Sequence, residues 1–177
     1  IYYSTISQDI VTVEFLGYGF KHTALISFVT AMAFVVVAFN SPLLSGIADY
    51  IGNKKRFMKI FVYTGSISCV GLYFFELNSI HIGLFFYFFA LIGFWGSLVF
   101  YNSYLPDIAH PDQLDFASAR GFTMGYIGSI LLLIINLTMV LQPDWFGITG
   151  TPSQSSIKAM KYSFITVGVW WALFSQY

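Results

Sequence analysis

The sequence has little charge and almost no cysteine. Asp, Glu, Lys and Arg make up 9% of its 177 residues, whereas soluble domains average about 25%. With 57% apolar residues and a mean hydropathy of +0.73, the composition excludes an ordinary soluble domain. Eight basic residues balance eight acidic ones, so no positive field favours nucleic acid as a partner. A single cysteine, Cys69, excludes a disulfide framework. No Cys/His cluster has zinc spacing, and we expect no catalytic residues, metal or cofactor.

Charged residues are confined to short stretches, and five long intervals contain none. About 20 apolar residues cross a bilayer as a helix. We therefore predict an all-α fold, a polytopic transmembrane helical bundle, with spans at about 22–49, 57–75, 80–105, 119–141 and 158–177. The sequence starts without methionine and ends inside an apolar run, so we expect a fragment. Residues 1–20 are predicted to be the end of a truncated first helix and an external loop, and residues 21–177 to carry the spans.

The basic residues predict the orientation of these spans. Four of them crowd the loop after the first span: Lys54, Lys55, Arg56 and Lys59. The positive-inside rule places this loop in the cytoplasm. By alternation, the loop at 106–120 is also inside, and the loop at 142–156 is outside. Trp145 and Phe146 then fit an aromatic belt at the outer interface.

The segment 46–56, at the inner end of the first span, combines glycine with charge. Glycine suits a tight turn between helices, and Gly46 and Gly52 flank this one. A carboxylate at the membrane boundary is costly unless it is paired. Asp49 is therefore predicted to bind a neighbouring cation or a helix N-terminus. A solvated Asp49 in a loop that only sets topology is the alternative.

This segment resembles the loop signature of the major facilitator superfamily, in which Gly, three residues, Asp, two residues, Gly and basic residues follow one another. Tyr50 and Asn53 depart from it, since many members have arginine there. The longer run 42–56 is similar to the vacuole effluxer-like family, also called the unknown major facilitator family. A second run, 100–109, followed by Arg120-Gly121 and by 125–128, is similar to the same family. The resemblance covers roughly residues 25–140.

The resemblance implies a secondary transporter with about twelve helices in two halves, which exposes its substrate alternately to either side. The five spans would be helices two to six of the N-terminal half. The partners implied are a small-molecule solute, the lipid bilayer and the missing C-terminal half of the same chain. The loop signature would lock the inner ends of the two halves together in one access state through Gly46, Asp49, Gly52, Lys54, Lys55 and Arg56.

Polar residues inside the spans are candidates for lining a solute cavity: Asn40, Ser41, Tyr101, Asn102, Tyr126 and Asn136. Asn40 precedes Pro42, which removes a helical hydrogen bond. Its amide could bind the freed backbone or contact the solute, and both interpretations stay open.

Small residues on one helical face predict close helix packing. The first span has such a stripe at Ser27, Ala31, Ala38, Ser41, Ser45 and Asp49. The third has one at Ala90, Gly93 and Ser97, and the fourth at Gly121, Gly125 and Ser129. The face on the third span is predicted to make a close helix contact, and those on the first and fourth spans pack on a neighbouring helix or line a cavity.

We expect a transporter that moves a small solute, such as amino acids or related metabolites, by alternating access. We place it in a bacterial inner (plasma) membrane rather than a vacuolar membrane. A small oligomeric channel or a membrane scaffold is the alternative. An intramembrane enzyme, with a divalent metal at His110, Asp112 and Asp115, is a further alternative.

Overall fold

Five long α-helices account for most of the chain in a computed structural model that describes residues 12–15, 18–76 and 79–176. Short 3₁₀ turns lie at Leu72–Phe74, Pro111–Gln113 and Pro143–Phe146. The helices are α1 (His22–Ile51), α2 (Lys54–Gly71), α3 (Ile80–Ile108), α4 (Leu114–Leu141) and α5 (Pro152–Phe174). The predicted all-α helical bundle is thus confirmed.

Four helical segments are long and apolar enough to cross a membrane, counted over the described residues. They are Thr23–Tyr50, Lys54–Phe74, Ile80–Ile108 and Pro111–Leu141. The predicted fifth span corresponds to α5, which is helical but less apolar because Lys158 and Lys161 lie in its first half. Its place in the membrane stays a prediction.

A short antiparallel hairpin precedes α1. Strand β1 (Thr12–Phe15) pairs with β2 (Tyr18–Lys21), with Val13 opposite Phe20. Aromatic and β-branched residues at these positions favour strand. The predicted end of a truncated helix with its external loop covers residues 1–20, of which 1–11 and 16–17 lie outside the described residues. The hairpin itself was not predicted.

α2 lies at the centre of the bundle, packed between α3 and α5. α1 packs mainly on α3, and α4 packs on α5. A Cβ atom added to Gly93 of α3 would collide with the backbone of Gly65 in α2. Gly93 and Ser97 are buried, which confirms the predicted close packing on the third span.

Aromatic side chains fill the space beside this helix crossing. The Phe100 ring is fully buried and lies 5.6 Å from the rings of both Phe57 and Phe61. Phe34 of α1 contacts Trp95 of α3, with ring centroids 5.1 Å apart. α2 and α3 therefore form a packed pair, to which α1 is attached along one side.

Candidate functional site

A two-residue connection brings the end of α1 next to the start of α2. Gly52 ends α1 with a left-handed φ of 69°, which glycine adopts without the strain a Cβ would cause. Its backbone N–H donates to the carbonyl oxygen of Ala48 at 2.9 Å. Asn53 then caps α2, because its side-chain oxygen accepts a hydrogen bond of 3.2 Å from the Arg56 N–H. Lys54 is thereby fixed beside the last turn of α1.

The Lys54 ammonium group joins the inner ends of three helices, where inner means the side predicted to be cytoplasmic. Its Nζ lies 2.9 Å from Asp49 Oδ1 in α1 and 3.1 Å from Asp107 Oδ2 in α3. It also donates to the Ser103 carbonyl oxygen at 3.2 Å. The Lys54 side chain is 17% exposed, whereas those of Asp49 and Asp107 are 56% and 47% exposed. We call these three charged residues the inner charge cluster.

The cluster can hold the helices together and can also release them. An ammonium with two carboxylates keeps one negative charge in excess. The open carboxylates retain contact with water, so breaking either ion pair does not strand a buried charge. An adjacent cleft of about 440 Å³ is lined partly by Asn53, Lys55 and Tyr104.

The structure places the other signature residues around this cluster without bringing them into it. Lys55 and Arg56 are exposed and form no ion pair with the described part of the chain. Gly46 is helical, and a Cβ there would meet nothing within 4 Å. The structure thus shows a turn glycine at Gly52, whereas Gly46 lies within α1 before the turn, and the role of both in the loop signature stays a prediction. The predicted pairing of Asp49 with a neighbouring cation agrees with the observed contact to Lys54.

Sequence reasoning missed Asp107 and the Ser103 carbonyl as partners of Lys54. The predicted third span ended at residue 105, before Pro106, whereas α3 continues through that proline to Ile108. This extra turn carries Asp107 to Lys54. The predicted topology places Lys54 and Asp107 on the same side of the membrane, and this was the one indication in the sequence that they could form an ion pair.

Asn40 and Ser41 line a small apolar cavity of about 110 Å³ between α1, α2 and α3. Both side chains donate to their own helix: Asn40 Nδ2 to the Val36 carbonyl oxygen at 2.7 Å, and Ser41 Oγ to that of Val37 at 2.6 Å. The carbonyl that Pro42 leaves without a helical donor is that of Ala38. The Asn40 amide therefore binds the carbonyl oxygen of Val36 and not the Ala38 carbonyl that the proline frees.

A larger cavity, of about 430 Å³, lies between α2, α3, α4 and α5. Tyr101 lines it together with Ser97, Gly121 and Gly125. The Tyr101 hydroxyl occupies the space that a Cβ of Gly121 would need. Of the predicted cavity-lining residues, Tyr101 is the one that lines this larger cavity.

The remaining candidates lie apart from these cavities. Asn102 and Tyr126 are exposed, the latter by 68%. Asn136 Oδ1 accepts a 2.6 Å hydrogen bond from Thr166 of α5. Ser129 donates to the carbonyl oxygen of Tyr126 in its own helix. The predicted set is therefore not gathered into one cavity by the described helices.

The face of α4 that carries Gly121, Gly125 and Ser129, which was predicted to pack closely on another helix, is exposed in the structure. A Cβ added to Gly125 would meet nothing within 4 Å, and Gly121, Gly125 and Ser129 are all exposed. Gly121 lies against the Tyr101 hydroxyl of α3, whereas no described atom lies within 4 Å of the Cβ position of Gly125, so the helix contact predicted for the whole face stays a prediction. Close glycine contacts occur instead at Gly65 and Gly168 on the α2–α5 side.

A metal site was the basis of the enzyme alternative. In the ranges 12–15, 18–76 and 79–176, no three His, Cys, Asp or Glu side chains converge as metal ligands. The geometry therefore gives His110, Asp112 and Asp115 no support as a divalent-metal site.

Comparison with known proteins identifies a matching family and a relative over most of the sequence. A family model described as "Vacuole effluxer Atg22 like" matches residues 5–115 and 113–177. A protein of Bacillus subtilis (strain 168), described as an uncharacterized MFS-type transporter, YxiO, is 35% identical over 155 residues. This alignment covers 88% of the chain and 35% of the relative, so the chain spans about a third of the relative's length. No solved structure matches.

Proposed function

We propose, because the chain belongs to the vacuole effluxer Atg22-like family, that it is part of a secondary transporter of the major facilitator type. The transporter would move a small solute across a membrane by alternating access. The family description and the description of the Bacillus relative both support transport rather than catalysis. The chain is an integral multi-pass membrane protein, and its bacterial relative favours a bacterial plasma membrane.

We propose that the remaining length of such a transporter supplies a second helical half. The described bundle leaves much of α1 and α4 uncovered. On α1 the exposed residues include the small side chains Ser27, Ala31 and Ala38, and on α4 they include Gly121 and Gly125. Small residues permit close helix approach in membranes. These faces would meet other helices of the full-length protein or line the solute path between the halves.

The inner charge cluster is the observation that carries the proposed mechanism. It fastens the inner end of α1 to α2 and α3 through contacts of 2.9–3.2 Å. Lys55 and Arg56, which are exposed beside it, would be available to the second half. We propose that the intact cluster stabilises one access state, and that loss of either ion pair shifts the balance to the other.

The substrate is proposed to be an amino acid or a related metabolite. This proposal rests on the family resemblance. Tyr101 and the polar residues of α1 and α4 would contact such a solute if the second half closed a cavity over them. No charged side chain lies among these candidates, so the solute's charge would be recognised mainly by dipoles.

Flux measurements on the full-length protein in proteoliposomes test this function. Labelled amino acids would be screened with and without an imposed pH gradient. Saturable, substrate-selective flux is expected, and Asp49→Asn and Lys54→Gln should both change its rate at equal protein content. Asp112→Asn is the matched control: this carboxylate lies on the same predicted side but forms no ion pair with the described residues.

Three outcomes would contradict the proposal. Flux that does not saturate and ignores solute identity would favour a channel. No flux with any solute class would favour a scaffold. Unchanged kinetics in Asp49→Asn and Lys54→Gln would leave transport possible but would remove the inner charge cluster from its mechanism.

A further inference from the structure

A pocket opens at the outer ends of α4 and α5, on the side opposite the inner charge cluster. The loop between the two helices forms one wall with Phe146, Gly147, Ile148 and Thr149. Its volume is about 440 Å³, within the range of small-molecule sites. This pocket is separate from the three clefts described above, and neither the loop signature nor the predicted solute cavity includes it.

The floor of the pocket is apolar and firmly packed. Met139 of α4 and Ile148 of the loop are both buried, and they form one cluster with Ala159 of α5. Ile165 adds a further aliphatic side chain to the lining. Ser156 Oγ donates to the Val140 carbonyl oxygen at 3.4 Å, which ties the start of α5 to the end of α4. The floor can therefore accept an aliphatic group without rearrangement.

The rim of the pocket carries an unneutralised positive charge. Lys158 Nζ donates to the backbone carbonyl oxygen of Thr149 at 3.1 Å and forms no ion pair with the described residues. An ammonium has three N–H donors, so donors remain for a ligand. By contrast, Lys161, one turn further along α5, is neutralised by Glu76 at 2.9 Å. The Tyr162 and Thr166 side chains also line the pocket.

We propose that this outer pocket binds an amphiphilic anion, with a carboxylate or phosphate head on Lys158 and an aliphatic chain on Met139, Ile148 and Ile165. Charge-assisted hydrogen bonds from an ammonium favour an anionic head over a neutral one. Burial of the chain against the apolar floor adds affinity that a bare anion would lack. A free acid and a lipid headgroup share this chemistry.

Binding to the purified full-length protein in nanodiscs tests the site. The probes are octanoate, octyl phosphate, octanol and inorganic phosphate, titrated by calorimetry in zwitterionic lipid. We expect octanoate or octyl phosphate to bind at least about tenfold more tightly than octanol or inorganic phosphate, a ratio equal to about 1.4 kcal/mol. Competition by phosphatidylglycerol would identify a lipid as the occupant, and competition by soluble acids alone would identify a solute.

Variants separate the pocket from general surface charge. Lys158→Gln should weaken octanoate binding about tenfold, and Lys158→Arg should retain it. Ile165→Trp should also weaken binding by filling the pocket while leaving the ammonium in place. Lys161→Gln is the matched control and should bind normally. Equal binding of octanol and octanoate, wild-type affinity in Lys158→Gln, or equal losses in Lys158→Gln and Lys161→Gln would each overturn the proposal.

Discussion

Replacing Gly93 by alanine is expected to destabilise the bundle, because α2 and α3 cross at this residue. The new Cβ would lie 2.8 Å from the Phe61 carbonyl oxygen and closer still to the backbone of Gly65. Backbone atoms cannot rotate away, so the helices would have to separate. Overpacking costs about 1–3 kcal/mol, whereas alanine gains about 0.5–1 kcal/mol over glycine in a helix. The middle of the two ranges gives an expected net loss of stability of about 1 kcal/mol.

The melting temperature of the purified full-length protein in mild detergent measures this loss. Gly128→Ala is the matched control, because its Cβ would lie 3.7 Å from Trp170 Nε1, an ordinary van der Waals contact. The control also lies inside a helix and should melt at or above the parental temperature. Parental melting of Gly93→Ala would refute the close crossing, as would an equal drop in the two variants.

The topology, the exposed face of α4 and the activity of the 177-residue chain give three further expected outcomes. Single cysteines at Asn53 and Ser153, in a Cys69→Ser background, should react with an impermeant reagent from opposite faces; reaction of both from outside would make the topology wrong. Gly125→Leu should lower the melting temperature of the full-length protein more than Leu132→Ala does, unless that face meets lipid. The 177-residue chain alone should give no solute flux in vesicles, and saturable, selective flux from it would contradict the two-half proposal.

The helices were predictable because a bilayer restricts the secondary structure that a membrane-spanning segment can adopt. Backbone polar groups in hydrocarbon must be satisfied within the segment, so charge-free intervals of sufficient length become helices. The ends of the helices were less predictable. The sequence predicts that the third span ends at residue 105, before Pro106, yet α3 continues to Ile108. A proline in the last turn removes one helical hydrogen bond without preventing the turn itself.

Which helices touch could not be read from the pattern of small residues. Gly93 and Gly125 both lie on small faces, yet one meets the backbone of α2 and the other meets nothing described. Spacing defines a face but not its partner, because neighbours in a bundle are set by the arrangement of all the helices. The pattern of small residues therefore does not single out Gly65 and Gly168, although both are buried at the contact between α2 and α5.

The candidate site was predictable in its charges and not in its geometry. A carboxylate at a membrane boundary requires a partner, and this requirement singled out Asp49 from the sequence. Asp49 pairs with Lys54 rather than with Lys55 or Arg56 because of the direction in which each side chain leaves the first turn of α2. That direction follows from the cap at Asn53 and the left-handed Gly52.

Two kinds of contact hold the bundle together: close glycine contacts among α2, α3 and α5, and ion pairs at the inner end of α1. α2 is joined to α3 and α5 by close glycine contacts that leave no space for a Cβ atom. Among the described residues, α1 has no such glycine contact with α2; it also contains Pro42 and borders the cavity of about 110 Å³. Its inner end is held instead by Lys54 through carboxylates that remain half exposed. Ion pairs in contact with water can break and re-form at a small cost in free energy. Separating two helices that pack backbone to backbone costs more. If the full-length protein changes its access state as proposed, the movement within this half is therefore expected at α1, with α2, α3 and α5 as the frame against which it moves.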